Sequence, residues 1–293
     1  MRIVFIGAVE FSRRTLERLL AMNAEIVGVC TLQESEFNAD HEDLSAVSET
    51  HGIPWLYAED INSAGTLSWI QDKSPDVIFC FGWSRLLKQD LLRLAPLGVV
   101  GFHPAALPAN RGRHPIVWAL VLGLEKTAST FFFMDAGADS GDILSQRDII
   151  ISDDDDASTM YDKVSQTALD QIGEFLPQLA AGKFQRQVQD ARLANTWRKR
   201  RIADGNIDWR MSAQSIHNLV RGLAKPYVGA HLIVDGQKIK VWKTTVVRDV
   251  PRNIEPGKVM AQTSAGPVVK CGEGAICLLV TEPTFEPIVS SYL

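Results

Sequence analysis

The chain has 293 residues, 46% of them hydrophobic, enough to bury a full core and to form one large and one smaller domain. No apolar run approaches the ~18 residues of a membrane span, and MRIVFIGAVEFSRR opens directly on a strand-like run without a cleavage pattern, so a cytoplasmic protein that does not engage the membrane is expected. A net charge of −5 argues against extensive nucleic-acid binding, which normally needs a clustered basic surface.

Residues 2–8 read as a buried strand, followed by a helix over Phe11–Met22 and a second strand over Glu25–Thr31. A helix at 42–50 ends at His51-Gly52-Ile53-Pro54, and a short strand follows at Trp55–Tyr57. A helix at about 64–73 leads into the strand Val77–Phe81. This alternation predicts an α/β fold with a Rossmann-like, mostly parallel sheet covered on both faces. The first turn, Gly7-Ala8-Val9-Glu10-Phe11, lacks the GxGxxG fingerprint, so a dinucleotide is not the expected ligand.

A short strand over Val99–Phe102 runs into His103, a helix begins at Ile116–Leu122, and Ala128–Met134 is strand-like. Four acids, Asp153–Asp156, precede a helix from about Ser158 to Ala181, where they suit the positive end of its dipole; metal binding is the weaker reading. After about residue 200 and a helix at 212–223, short runs alternate with turn residues: 231–234, 238–242, 258–262, 267–270 and 275–280. They suggest a small OB-like β-barrel, giving domains at 1–200 and 201–293. Cys30, Cys80, Cys271 and Cys277 lack metal-clip spacing, and neither His217 nor His231 is spaced to join them. They read as buried thiols, and no metal site is predicted.

The chemistry concentrates in GFHPAALPANRGRHP (101–115) and MDAGADSGDIL (134–144). Each places a titratable side chain in a Gly/Pro-rich segment near a strand end, where open α/β folds present reactive groups. His103 can handle a proton near neutral pH, and a carboxylate such as Asp139 can orient the ring. A structural role for an isolated His–Asp pair is the competing reading. The basic run Arg198–Arg201 could serve phosphates or be a solvated interdomain segment.

Residues 103–112 are similar to the HxSLLPxxRG motif of the folate-dependent formyltransferases, and 135–142 resemble their DxGxDTGD loop. Gly205–Trp209, Ile216–Gly222 and Lys225–Ala230 resemble the DGxIDW, IHNLIRA and PYPGA runs of nucleotide-sugar formyltransferases. The likeness implies transfer of a formyl group from N10-formyltetrahydrofolate to the primary amine of a nucleotide-linked amino sugar, in a homodimer. It also implies His103 as the proton-handling group, Asp139 as its partner, and a pterin lying against Arg85, Leu86, Leu87 and the loop Asp135, Ala136, Gly137, Ala138, Asp139. Arg113 would lie along the folate chain, while Phe81 and Trp83 would serve as pocket walls or as ordinary core aromatics. Arg198–Arg201, Trp197 and Tyr227 are weaker candidates for nucleotide contacts.

Gly101 departs from the family's N-x-H, whose Asn donates to the developing oxyanion. Three readings follow: another donor replaces it, water is the acceptor, or activity is weak; replacement is favoured, with Gly101→Asn then preserving or improving transfer. Ala105 and Ala106 replace the usual Ser-Leu pair. The alternatives are a 10-formyltetrahydrofolate hydrolase, a methionyl-tRNA formyltransferase, and an inactive folate-binding protein.

Overall fold

A computed structural model describes residues 1–35 and 40–293. The first compact unit comprises Met1–Gly112, Ala128–Ile149 and Asp162–Trp197. Its opening half alternates β1 (Arg2–Ile6), α1 (Glu10–Ala21), β2 (Glu25–Thr31), α2 (Ser45–Thr50), β3 (Trp55–Tyr57), α3 (Ala64–Asp72), β4 (Val77–Cys80) and α4 (Gln89–Leu92). There follow in chain order β5 (Val99–His103), β6 (Arg111–Gly112), α5 (Pro115–Val121, which belongs to the second unit), β7 (Lys126–Phe133), β8 (Ile143–Ile150), α6 (Ala157–Ala180) and β9 (Thr196–Trp197). Seven strands form one sheet in the order β3-β2-β1-β4-β5-β7-β8, parallel from β3 to β5 and turning antiparallel where β7 meets β5.

The central strands are apolar on both faces because helices cover both, and Val4, Phe5, Ile6, Ile78 and Phe79 are fully buried. Strand order reverses direction at β1/β4, the place where open α/β sheets leave a crevice beyond their strand ends. Ser12 ties that end together, accepting from the Val9 N–H at 3.2 Å and donating to the Phe81 carbonyl at 2.6 Å.

The second unit comprises Arg113–Thr127, Ile150–Tyr161 and Arg198–Leu293. It contains α7 (Ala213–Gly222), β10 (Ala230–Val234), β11 (Gln237–Val247), β12 (Val259–Thr263), β13 (Gly266–Lys270) and β14 (Ala275–Glu282). These strands form an antiparallel sheet in the order β10-β11-β14-β13-β12; among the described residues no pairing joins β10 to β12 to close a barrel. Ile216, Leu219 and Val220 of α7 pack on Leu232, Ile239, Val241, Ile276 and Leu278. The helical spacing of the first set and the alternation of the second are what one shared core requires.

The acidic run before α6 is a helix cap. Asp156 Oδ1 accepts from the Ser158 and Thr159 amides at 2.9 and 3.0 Å, and Asp155 Oδ2 accepts from the Ser152 amide at 2.7 Å. Arg221 donates to the carbonyls of Ser152 and Asp155 at 3.0 and 3.1 Å. All four cysteines are free and buried, and burial pushes the Cys30 thiol up to about 12.

Candidate active site

His103 is the last residue of β5, and its register opposite Thr130 of β7 fixes where the side chain leaves the sheet. The ring is 5% exposed. Its Nδ1 stands 3.6 Å from Asp139 Oδ2, and its Nε2 donates to the Asn110 carbonyl at 2.8 Å. Both nitrogens therefore face acceptors. A protonated ring can donate to both and a neutral ring to only one.

Asp139 comes from the loop after β7, with φ 53. The Gly112 N–H donates to Asp139 Oδ2 at 2.9 Å, so the oxygen facing His103 is also fixed from the other motif. Gly112 is required here for two reasons. Its φ is 101, and a Cβ would meet the Trp197 carbonyl at 2.3 Å. The rest of the loop is held locally: Asp135 Oδ1 accepts from the Gly137 amide at 2.9 Å and from Ser140 Oγ at 2.7 Å, leaving Asp135, Ala136, Gly137 and Ala138 exposed.

At Gly101 the space is filled. A Cβ would meet Met134 Cγ at 2.8 Å, Met134 Sδ at 3.0 Å and Phe132 Cζ at 3.2 Å. Met134 packs in turn against a buried cluster that includes Cys80, Leu87 and Val99, with Trp83 at its margin. Trp83 Nε1 is buried and has no hydrogen-bond partner among the described residues. Phe81 is a core aromatic, stacked on Phe79 at 5.2 Å and edge-on to Phe131 at 5.1 Å.

Arg85 and Leu86 are exposed, Leu86 by 70%, whereas Leu87 is buried. Asn62 holds this segment, donating to the Leu86 carbonyl at 2.9 Å and accepting from the Lys88 amide at 2.7 Å. The substituted Ala105 keeps a polar neighbour: Thr130 Oγ1 donates to its carbonyl at 2.7 Å, and Gln146 Nε2 donates to Thr130 Oγ1 at 2.9 Å.

Arg113 is an exposed residue of the second unit. In the same unit Arg198 pairs with Asp204 at 2.6 Å and lies over Trp118 at 5.3 Å, while Arg200 lies over the same ring at 4.8 Å. Tyr227 packs on the core of that unit, and Trp197 belongs to β9 of the first.

Sequence reading missed the stretch after α6. β9 pairs with β6, the Asn195 carbonyl accepts from the Arg111 amide at 3.1 Å, and Asn195 Oδ1 accepts from the Asn110 amide at 2.7 Å. The available signal was weak: a polar stretch with a short TW strand and no periodicity.

Residues 1–174 match the model of the formyl transferase domain, and residues 200–289 that of the formyl transferase C-terminal domain. Methionyl-tRNA formyltransferase of Geobacter metallireducens is 32% identical over 94% of this chain and 89% of its own length. The enzyme of that name from Caldanaerobacter subterraneus subsp. tengcongensis is 33% identical over 95% and 91%. A solved N-formyltransferase from Helicobacter canadensis superposes with a TM-score of 0.71 over 94% of this chain and 98% of its own, at 15% identity, a likeness of fold alone.

These relatives overturn two expectations: the nucleotide-linked amino sugar as acceptor, and the exclusion of extensive nucleic-acid binding. The likeness of Gly205–Trp209, Ile216–Gly222 and Lys225–Ala230 to runs of nucleotide-sugar formyltransferases carried the first, yet the chain spans about nine-tenths of relatives named for methionyl-tRNA. Net charge carried the second, although a whole-chain sum of −5 does not report local arrays such as Arg198–Arg201. With both halves matched in order and a relative one-third identical along nearly its whole length, the chain belongs to the formyl transferase family of formyl-group transfer enzymes.

Proposed function

We propose that the protein transfers the formyl group of N10-formyltetrahydrofolate to the α-amino group of methionyl-tRNA, with His103 and Asp139 as its reacting pair. The observation that carries this reading is the 32% identity over 94% of the chain with an enzyme named for that acceptor. The site geometry supplies a chemistry consistent with it.

In that reaction the amine nitrogen bonds to the formyl carbon, the bond from that carbon to the carrier nitrogen breaks, and a proton passes from the amine to the carrier. His103 is suited to take the proton and to return it. To serve the amine, Nε2 exchanges the Asn110 carbonyl for the substrate nitrogen. Asp139, held by the Gly112 amide, keeps the ring oriented. A flat carrier ring with polar edges fits the first unit in two respects: the exposed Leu86 offers apolar surface, and the buried Trp83 Nε1 is a donor whose partner remains to be supplied. Arg85–Leu87 and Asp135–Asp139 are the segments we assign to the carrier.

Gly101 supplies no side-chain donor to the oxyanion, a loss worth ~10²–10³ in turnover unless another group compensates. We retain 1–200 as the catalytic domain and 201–293 as the smaller C-terminal domain, and we place the reaction in the cytoplasm, where its acceptor is made. No helix among the described residues is long and apolar enough to cross a membrane.

The test supplies methionyl-tRNA and N10-formyltetrahydrofolate and follows formylmethionine by mass after ester hydrolysis. Wild type should yield it, and His103→Ala should lower the rate by ~10²–10⁴. Formate released at the same rate with or without tRNA would instead identify a hydrolase, one of the three readings of Gly101. Absence of both products removes the proposal.

A further inference from the structure

Gln189 lies nine residues beyond the end of α6, in the stretch that sequence reading passed over, and is 9% exposed. Its carboxamide commits both N–H donors and its oxygen to the two motif segments. Nε2 donates to the Asp139 carbonyl at 2.9 Å and to the Gly141 carbonyl at 2.6 Å, while Oε1 accepts from Arg111 at 2.7 Å. Gln187, two residues earlier, exchanges backbone hydrogen bonds of 2.8 and 2.9 Å with Ile143, just after the same loop.

We propose that Gln189 is a positioning residue for formyl transfer: it fixes the backbone that carries Asp139 and couples it to the Arg111-Gly112 segment whose amide holds the Asp139 carboxylate. This inference rests on the assignment of Asp139 to the reaction.

The residue type follows from the geometry. Asp139 and Gly141 present carbonyls, which need donors, and Arg111 presents a donor, which needs an acceptor. Among ordinary side chains only a carboxamide offers two donors and an acceptor on one plane, and glutamine is the longer of the two. A buried carboxamide with both donors and its oxygen engaged cannot flip without losing bonds, so it is held to a single arrangement. The loop it grips is otherwise exposed over Asp135–Ala138, so the tie falls where the loop returns to the sheet: the Phe133 amide donates to the Asp142 carbonyl at 2.8 Å. At Gly141 a Cβ would collide with the Phe133 carbonyl, so the backbone there has little room to move on that side. Releasing Gln189 frees the other side, and with it the direction of the Asp139 side chain.

The experiment compares Gln189→Glu and Gln189→Ala with wild type in the formylation of methionyl-tRNA, each also in a Asp139→Ala background. Gln189→Glu keeps the acceptor for Arg111 and removes both donors. It isolates the tie to the loop and serves should the alanine variant fail to fold. We expect kcat to fall between about 10- and 100-fold, with KM for either substrate changed less than about twofold, because misplacing a reacting group by about 1 Å costs that much. In the Asp139→Ala background the same substitution should cost less than about twofold, since Gln189 then has nothing to position. Undiminished kcat in Gln189→Glu, a loss confined to KM, or a full-sized loss in the Asp139→Ala background would each overturn the proposal. A wild-type protein that does not formylate methionyl-tRNA would instead remove the functional reading on which it rests.

Discussion

Met134 occupies the room next to Gly101 that a longer side chain would need. Asparagine introduced there would have to displace its Cγ, 2.8 Å from the position of the new Cβ, and press on the edge of Phe132 at 3.2 Å. Overpacking of this kind costs ~1–3 kcal/mol. Gly101→Asn is therefore expected to lower both the denaturation midpoint and turnover, the reverse of what a vacant donor position suggests. Gly101→Asn combined with Met134→Ala should recover much of the loss. Should the single variant match wild type in both measurements, Met134 moves aside freely and the glycine is not required by packing. The same reasoning explains why the departure at Gly101 could be seen in the sequence while its consequence could not. A motif shows which residue is present; only the packing shows what has taken the space.

Two-residue strands are weak elements by themselves, yet β6 and β9 decide where Asp139 points. Gly112 in β6 donates to the carboxylate while its Cα faces the Trp197 carbonyl of β9. Gly112→Ala places a methyl group 2.3 Å from that oxygen at a φ of 101, so strain of ~1–3 kcal/mol is expected along with reduced kcat. Urea denaturation and steady-state rates check this, and an unchanged midpoint would mean that the pairing yields without cost. Strong periodicity made β1 to β5 and α6 legible, with ends within a few residues: 158–181 was expected for the helix observed at Ala157–Ala180. β6 and β9 carry no such period, because their pairing depends on residues more than eighty positions apart in the chain. The return strand β8, Ile143–Ile150, was passed over as well, its apolar and polar residues alternating imperfectly. His103 and Asp139 could be picked out because His103 precedes a proline and Asp139 lies between two glycines; Gln189 and Asn195 sit in ordinary polar sequence.

Across the whole molecule, charge is where composition misled most. The sum of −5 includes acids spent on capping α6 and on internal pairs such as Asp204 with Arg198, so it says little about the surface an acceptor meets. Titration should also be visible in stability. Burial lowers His217 below its ordinary value of 6.5, reinforced by Arg221, and burial likewise lowers His114 and His231. A histidine whose folded value is lowered favours the native state most when both states are neutral. Its contribution is thus complete above about pH 6.5 and is lost as pH falls through the lower folded value. Thermal midpoints should drop between pH 7 and 5, and less steeply in His217→Gln, which retains a partner for Thr244. Parallel pH curves for the two proteins would exclude His217 as a source. The late segment around Gln189 also bears on how this protein can be divided. A fragment ending at residue 174, where the match to the transferase domain stops, would contain His103 and Asp139, the proposed reacting pair, but none of Gln187, Gln189, Asn195 or Trp197. Any truncated version meant to keep the chemistry has to run through Trp197, well past the point where the family signature would place the scissors.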